Sequence, residues 1–383
     1  MRKICVVTGT RAEFGLMQNF LFGLKSLAEV QLQIIATGSH LVPDHGETLK
    51  EISAAGFEVS AEVDMLLASD SPRAVGQSMG LGVIGLTNAL SRLNPDMLVL
   101  LGDRYEALAA AQSAMMLRIP IAHIHGGEAT EGLIDEAIRH SITKMSHVHF
   151  TAAEPFRKKV IQMGEDPTTV HNVGALGLDN IAGLEPITCG ELQHFLGIKL
   201  DAPILLVTYH PLTLDVDGAA SVANLLEALA QQEDACIVFT GANADALGGD
   251  INSRIQAFCA SRGEKAVHVA SLGVRRYLSL MSISDAVVGN SSSGLLEAPY
   301  VGVPTVNIGE RQRGRLRAPS VIDCSDTVGE ITIAIAKARS RSMKETAALR
   351  ATPYGQPGAA QKIIKIIRQL ELDKILYKRF YSL

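Results

Sequence analysis

The sequence predicts an α/β protein of two doubly wound parallel sheets, facing each other across a cleft. Three observations point there. The chain has 383 residues, which suits two domains at about 150 residues each. Short β-branched apolar runs alternate with longer stretches of helical period along nearly the whole length. Strands apolar on both faces and separated by helices belong to a parallel sheet covered on both sides. Finally, the series restarts in the second half, after a stretch of weak periodicity at 174–189 that holds Gly, Pro and Asn.

In the first half, strands are expected at 3–8, 30–37, 57–63, 97–101, 119–123 and 147–151, with helices at 14–27, 47–55, 74–93, 106–117 and 135–145. The second half repeats the pattern, with strands at 204–209, 236–240, 266–269, 286–288 and 305–308. Its helices fall at 219–231, 250–261, 274–281, 293–298 and 328–338. A closing helix at 359–376 shows apolar residues at helical spacing, namely Ile363, Ile364, Ile367 and Leu370. The expected organisation is a first domain over 1–174, a linker, a second domain over 190–358, and the closing helix within 359–383. In open sheets of this kind a ligand sits beyond the carboxyl ends of the strands.

Composition narrows the function classes. Lys plus Arg number 35 against 40 Asp plus Glu, and a protein that grips nucleic acid by its backbone carries a basic excess. Five scattered cysteines with no CxxC fit reduced thiols rather than a disulfide frame or a zinc site. The longest apolar stretch, 107–122, is broken by Gln112, Arg118 and Pro120, well short of a membrane span. The first residues run directly into Thr10, Arg11 and Glu13 without a secretory apolar core. A cytoplasmic, soluble protein with a small-molecule ligand, and neither nucleic acid nor membrane as partner, is expected.

Chemistry-bearing residues gather at expected strand ends. Gly80-Leu-Gly-Val-Ile-Gly85 matches a dinucleotide fingerprint by letter, but it lies in or beside a helix, and the fingerprint needs a strand before it. Gly9-Thr10-Arg11-Ala12-Glu13 opens a helix and offers backbone N–H groups and a guanidinium to an anion. Gly102-Asp103-Arg104 sets an acid and a base at a strand end; the plain alternative is that Asp103 caps the next helix. In Ile121-Ala-His-Ile-His-Gly-Gly-Glu128 the two histidines, at alternate positions, are expected on one face. With Glu128, Glu131, Asp135 and Glu136 they can supply acid and base near neutrality. His-x-His beside acids can also bind metal, but no spacing specifies one.

In the second half, His210 again stands at a strand end. Gly289-Asn-Ser-Ser-Ser-Gly294 leads from a strand into a helix. Free N–H groups, hydroxyls and the helix dipole make such a loop a phosphate cradle. Glu297, one turn in, could take a ribose diol.

Taken together, Gly9-Thr-Arg-Ala-Glu13, Gly102-Asp-Arg-Tyr-Glu106, His123-Ile-His-Gly-Gly-Glu128, 135–144 and Gly289–Gly294 resemble the UDP-N-acetylglucosamine 2-epimerase family, most closely its hydrolysing branch. The resemblance covers about residues 3 to 370, in order. It implies a glycosyltransferase-B-like fold of two Rossmann-like domains, a C-terminal helix crossing back to the first, and an active site between the domains. It also implies a reaction without cofactor or metal. C2 of the sugar is not next to a carbonyl, so UDP leaves C1 as a base removes the C2 proton; water then adds to the glycal.

By motif position the resemblance gives Asp103, His125, Glu128, Asp135 and His210 as the expected catalytic set. Arg11, Arg104, Asn243, Tyr277, Asn290, Ser291, Ser292, Glu297 and Arg311 are the expected substrate contacts. Of these, Ser291 and Ser292 match phosphate contacts, Glu297 a ribose contact, and Tyr277 a ring near the uracil. Some members carry Glu where this chain has His125, so His125, Glu128 and Asp135 all stand as candidates for proton transfer.

The leading expectation is hydrolysis of UDP-N-acetylglucosamine to UDP and N-acetylmannosamine for nonulosonate synthesis, by a homo-oligomer, dimer or tetramer. The same reaction on UDP-2,4-diacetamido-2,4,6-trideoxyglucose, a legionaminic acid route, stands beside it. A non-hydrolysing epimerase, a glycosyltransferase and a non-catalytic UDP-sugar sensor are the remaining alternatives.

Overall fold

A computed structural model of the chain describes residues 1–42, 48–69, 71–130, 134–201, 203–210, 218–241 and 248–382. It separates into two compact units; the second holds Ile181–Pro353, and the segment from Tyr354 onward rejoins the first.

The first unit is a seven-stranded parallel sheet: β1 (Arg2–Thr8), β2 (Val30–Thr37), β3 (Ala61–Val63), β4 (Met97–Leu101), β5 (Ile121–Ile124), β6 (Val148–Thr151) and β7 (Val170–Asn172). Their order is β3-β2-β1-β4-β5-β6-β7. Strand order therefore reverses between β1 and β4, the point where doubly wound sheets bind ligands. One face packs Phe14, Met17, Phe20, Leu21 and Leu24 of the helix Arg11–Lys25 with Ile363 and Ile367 of the C-terminal helix. The other packs Leu86 and Leu90 with a run of alanines from the helix Tyr105–Met116. Both faces are covered, as the unbroken apolar strands require.

The second unit repeats the design with β8 (Ile204–Thr208), β9 (Cys236–Thr240), β10 (Ala266–Val269), β11 (Ala286–Gly289), β12 (Thr305–Ile308) and β13 (Val321–Cys324). Its order, β10-β9-β8-β11-β12-β13, places the reversal between β8 and β11. The α/β class and the two Rossmann-like sheets are as the sequence predicts.

Several local expectations change. β3 covers only Ala61–Val63; Phe57, read as strand, instead buries its ring against the helix residue Phe14. The first helix starts at Arg11, three residues early, because Thr10 and Glu13 form a capping box. The stretch 174–189 contains a helix, Gly177–Ala182. From it the Asp179 carboxylate accepts the N–H groups of Gly358 (2.5 Å), Ala359 (3.1 Å) and Ala360 (2.7 Å), capping the C-terminal helix. That helix, Ala359–Gln369, is shorter than expected. Arg2 takes the carbonyls of Ile367 and Leu370, the latter at 2.8 Å, so the helix end is satisfied without another turn. Beyond it, Lys378 Nζ donates to the carbonyls of Lys144 (2.8 Å) and Ser146 (2.6 Å) and pairs with Glu165 (2.6 Å). A cation there complements the carboxyl end of the helix Ile134–Met145.

Gly80–Gly85 lies inside the helix Pro72–Leu93. There a Cβ on Gly82 would come within 2.7 Å of Met65 Cε, and one on Gly85 within 2.5 Å of Val63 Cγ1. These glycines allow close packing of helix on sheet.

Candidate active site

In the first unit the site residues follow β1, β4 and β5. Asp103 does not cap the helix Tyr105–Met116, whose N-cap is Arg104 without a side-chain bond. Its carboxylate instead pairs with Arg139, which is 1% exposed. Arg139 also donates to Glu136 Oε2 (2.5 Å) and to the Glu128 carbonyl (2.8 Å). One buried guanidinium thus ties the β4 loop, the loop after β5 and the helix Ile134–Met145 together. Its fork of donors suits three acceptors at once.

The expectation that His123 and His125 share a face is wrong. β5 ends at Ile124, and His125 adopts a left-handed φ of 66°, so strand alternation no longer applies to it. His123 points into the core, 0% exposed. His125 Nε2 accepts the Leu176 N–H (3.3 Å), which leaves the hydrogen on Nδ1, 3.4 Å from Glu128 Oε1. Histidine and carboxylate therefore form one polar pair, both buried or nearly so. Asp135 stands in the first turn of its helix. Burial raises its pKa above the usual carboxylate range, and the nearby Asp103 adds to the shift.

Around the β1 end, Gly9 and Thr10 give their N–H groups to Glu13 Oε2 (2.7 and 3.2 Å). Burial, with Glu106 beside it, pushes Glu13 up to about 7. Arg104 turns to Glu106 in a two-pronged pair of 3.0 and 3.2 Å. Arg11, half-exposed at the helix start, pairs with Glu51 at 3.0 Å.

In the second unit the residues gather at the β8 and β11 ends. The Asn290 amide brackets the His210 backbone: its Oδ1 accepts the His210 N–H (2.7 Å) and its Nδ2 donates to the His210 carbonyl (2.8 Å). Burial, with Arg311 nearby, lowers His210 to about 3, so the ring is neutral. Arg311 (3.1 Å) and Gln312 (2.8 Å) both donate to the Asn290 carbonyl, pinning the loop that leads into the helix Ser293–Val301. Ser293 links the Tyr277 hydroxyl (2.6 Å) to the Ser291 hydroxyl (3.1 Å). Ser292 is the N-cap and makes no side-chain cap bond. Glu297 Oε2 is buried with no hydrogen-bond partner, and burial raises Glu297 to about 7. A buried acceptor without a donor is costly unless a ligand supplies one.

Asn243 and Glu131 lie outside the described residues. The sequence assigned no role to Arg139, Glu13 or Glu106, though the Thr10-x-x-Glu13 capping box was a legible signal. Among the described residues no cluster of three or more His, Cys, Asp or Glu could hold a metal ion, and no helix is long and apolar enough to cross a membrane.

Comparison with known proteins bears out the family resemblance. The family model for UDP-N-acetylglucosamine 2-epimerase matches residues 23–368. The chain is 41% identical to the GDP/UDP-N,N'-diacetylbacillosamine 2-epimerase (hydrolyzing) of Campylobacter jejuni, over 100% of this chain and 99% of that one. It is 35% identical to polysialic acid biosynthesis protein P7 of Escherichia coli, over 100% and 98%. It is 33% identical to the UDP-N,N'-diacetylbacillosamine 2-epimerase (hydrolyzing) of Legionella pneumophila, over 99% of each. The fold is similar to that of the Neisseria meningitidis UDP-GlcNAc 2-epimerase bound to UDP-GlcNAc, with TM-score 0.82, 19% identity and coverage of 96% and 100%. The chain therefore belongs to the UDP-N-acetylglucosamine 2-epimerase family, as an enzyme of its hydrolysing branch.

Proposed function

We propose that this enzyme converts UDP-N,N'-diacetylbacillosamine, a 2,4-diacetamido-2,4,6-trideoxyglucose, into UDP and the free sugar with inverted C2. The whole-length 41% identity to the Campylobacter enzyme of that name carries this reading, and the Legionella relative supports it. UDP-N-acetylglucosamine is the second reading, favoured by the description of the matching family.

In the proposed reaction a base takes the C2 proton as the C1–O bond breaks and UDP departs, leaving a C1=C2 double bond. Water then adds hydroxyl to C1 while an acid returns a proton to the opposite face of C2. The first unit supplies the proton-transfer groups. His125 Nδ1 stands 3.4 Å from Glu128 Oε1, and Asp135, whose pKa burial raises, is the third candidate for proton transfer. Asp103 is fixed beside them by Arg139. The second unit supplies the nucleotide clamp: Glu297 for the ribose hydroxyls, and Ser291, Ser292 and the N-terminus of the helix Ser293–Val301 for the diphosphate. Tyr277, Asn290, His210 and Arg311 shape that clamp.

The test is turnover of UDP-N,N'-diacetylbacillosamine, its GDP counterpart and UDP-N-acetylglucosamine in D2O, with products read by NMR. Free sugar of manno configuration carrying deuterium at C2 is expected, fastest from the UDP-diacetamido sugar. Hydrogen retained at C2, or an epimer still bound to UDP, overturns the scheme. Faster turnover of UDP-N-acetylglucosamine moves the assignment to the second reading.

A further inference from the structure

We infer that His123, a residue without solvent contact, is a positioning residue for this reaction, tying the backbone before Asp103 to a hydroxyl on the helix that carries Arg139. The inference rests on the function proposed above. His123 Nε2 lies 2.7 Å from the carbonyl oxygen of Gly102, the residue before Asp103. A carbonyl only accepts, so Nε2 carries the hydrogen. Burial drives the His123 pKa down to about 3, and the ring is neutral throughout the working range. Nδ1 is then an acceptor, and Thr143 Oγ1 stands 3.2 Å from it. Thr143 is four residues after Arg139 on the same helix, and its single hydroxyl hydrogen is shared between Nδ1 and the Arg139 carbonyl, 3.0 Å away.

One rigid ring with a fixed donor and a fixed acceptor thus spans from the Asp103 loop to the Arg139 helix. Gly102 needs such a tether. Its φ of 75° is left-handed, and its N–H is held by the Ile124 carbonyl at 3.0 Å. The ring holds the carbonyl, so Gly102 is fixed on both of its peptides just before Asp103. The third loop closes over the same ring: a Cβ on Gly126 would lie 3.0 Å from His123 Nδ1 and 3.1 Å from Thr143 Oγ1. A side chain there would press on the tether, which explains glycine beside His125.

The experiment compares His123→Leu with His123→Gln, whose Nε2 can still donate to the Gly102 carbonyl. His123→Leu should lose about 10–100-fold in kcat, the scale of a misplaced reacting group, with KM and UDP affinity within about two-fold. His123→Gln should recover most of the lost kcat, even if its melting temperature is no higher than that of His123→Leu. Equal kcat in both variants and the wild type, with only melting temperature altered, overturns the inference. Nitrogen-15 NMR of histidine-labelled wild type gives a reading independent of activity and of variant folding. The His123 signal should show a ring fixed as the neutral Nε2–H form from pH 5 to 8. A His123 ring that titrates in that range, or carries its hydrogen on Nδ1, also overturns the inference. Failure of the wild type to turn over any nucleotide sugar instead sinks the proposed function, while the NMR result still decides what the ring does.

Discussion

His125 combines a reactive side chain with a backbone conformation that ordinary residues avoid. Its left-handed φ costs about 1–2 kcal/mol for a residue with a Cβ, and glycine would adopt it freely. Two substitutions therefore separate backbone from chemistry. His125→Gln should lose about 10²–10⁴-fold in turnover, the usual scale for an acid–base group, with UDP affinity retained. His125→Gly should be equally inactive, with the relief of backbone strain offset in stability by the lost Leu176 N–H bond and Glu128 contact. Turnover within a few-fold of wild type for both would remove the imidazole from the chemistry. Glu297 makes the complementary case. Its folded pKa of about 7 lies above the ordinary 4.5, so the folded protein binds more protons than the unfolded chain between those values. Stability contributed through this group falls as pH rises across that window. Glu297→Gln should accordingly raise the melting temperature of ligand-free protein at pH 8. It should weaken UDP binding there by about 1–3 kcal/mol, as an ionised acceptor for the ribose is lost. Unchanged affinity by calorimetry would place the nucleotide elsewhere.

Along the helix Pro72–Leu93, glycines a few residues apart face opposite demands. Gly80 has nothing within 4 Å of where a Cβ would stand, whereas a Cβ on Gly85 would meet the branched, buried Val63 on β3 at 2.5 Å. Alanine is favoured over glycine in a helix interior by about 1 kcal/mol. Gly80→Ala should therefore stabilise by up to about that amount, and Gly85→Ala should destabilise by about 1–3 kcal/mol through overpacking. Chemical denaturation of the two variants checks both signs. A gain in stability for Gly85→Ala would show that the helix can lift off the sheet without loss. The same helix shows why a glycine pattern is informative only in place: here Gly85 sets how closely the helix lies on β3, and Gly80 does not.

For the molecule as a whole, the dominant pH effect comes from its buried histidines. His40, His123 and His210 are all at most 7% exposed, and burial lowers them to about 4, 3 and 3. His149, at 0% exposure, is lowered as well. His40, His123 and His210 are neutral when folded, and each takes up a proton on unfolding below its ordinary value of 6.5. The unfolded chain then binds more protons, so stability falls as pH drops from about 6.5 towards 4, by up to about 1.4 kcal/mol per pH unit for each histidine. Acid destabilisation should begin near pH 6.5 rather than in the carboxylate range. Denaturation midpoints that stay level between pH 7 and 5 would contradict this.

The alternation of apolar runs and helical stretches was enough to establish the α/β class and the position of most strands, because a doubly covered parallel strand must be apolar on both faces. Edge strands escape that rule. β7 reads Val-His-Asn and β13 Val-Ile-Asp-Cys; short, partly exposed and polar, they resemble loops until a neighbour pairs with them. The site divides the same way. Asp103, His125, Glu128, Asp135 and the Gly289–Gly294 loop stand out in the sequence because they cluster at strand ends. What joins them does not, since Arg139 reaches Asp103 across 36 positions and His123 reaches Gly102 across 21. A local pattern sets which residues arrive at the end of a strand. Only the tertiary fold decides which of them turn inward, because burial selects the charges and rings whose every polar atom finds a partner. By that criterion Arg139 and His123 turned inward behind the candidate site, and His125, turned out of its strand, came to lie nearly buried beside Glu128.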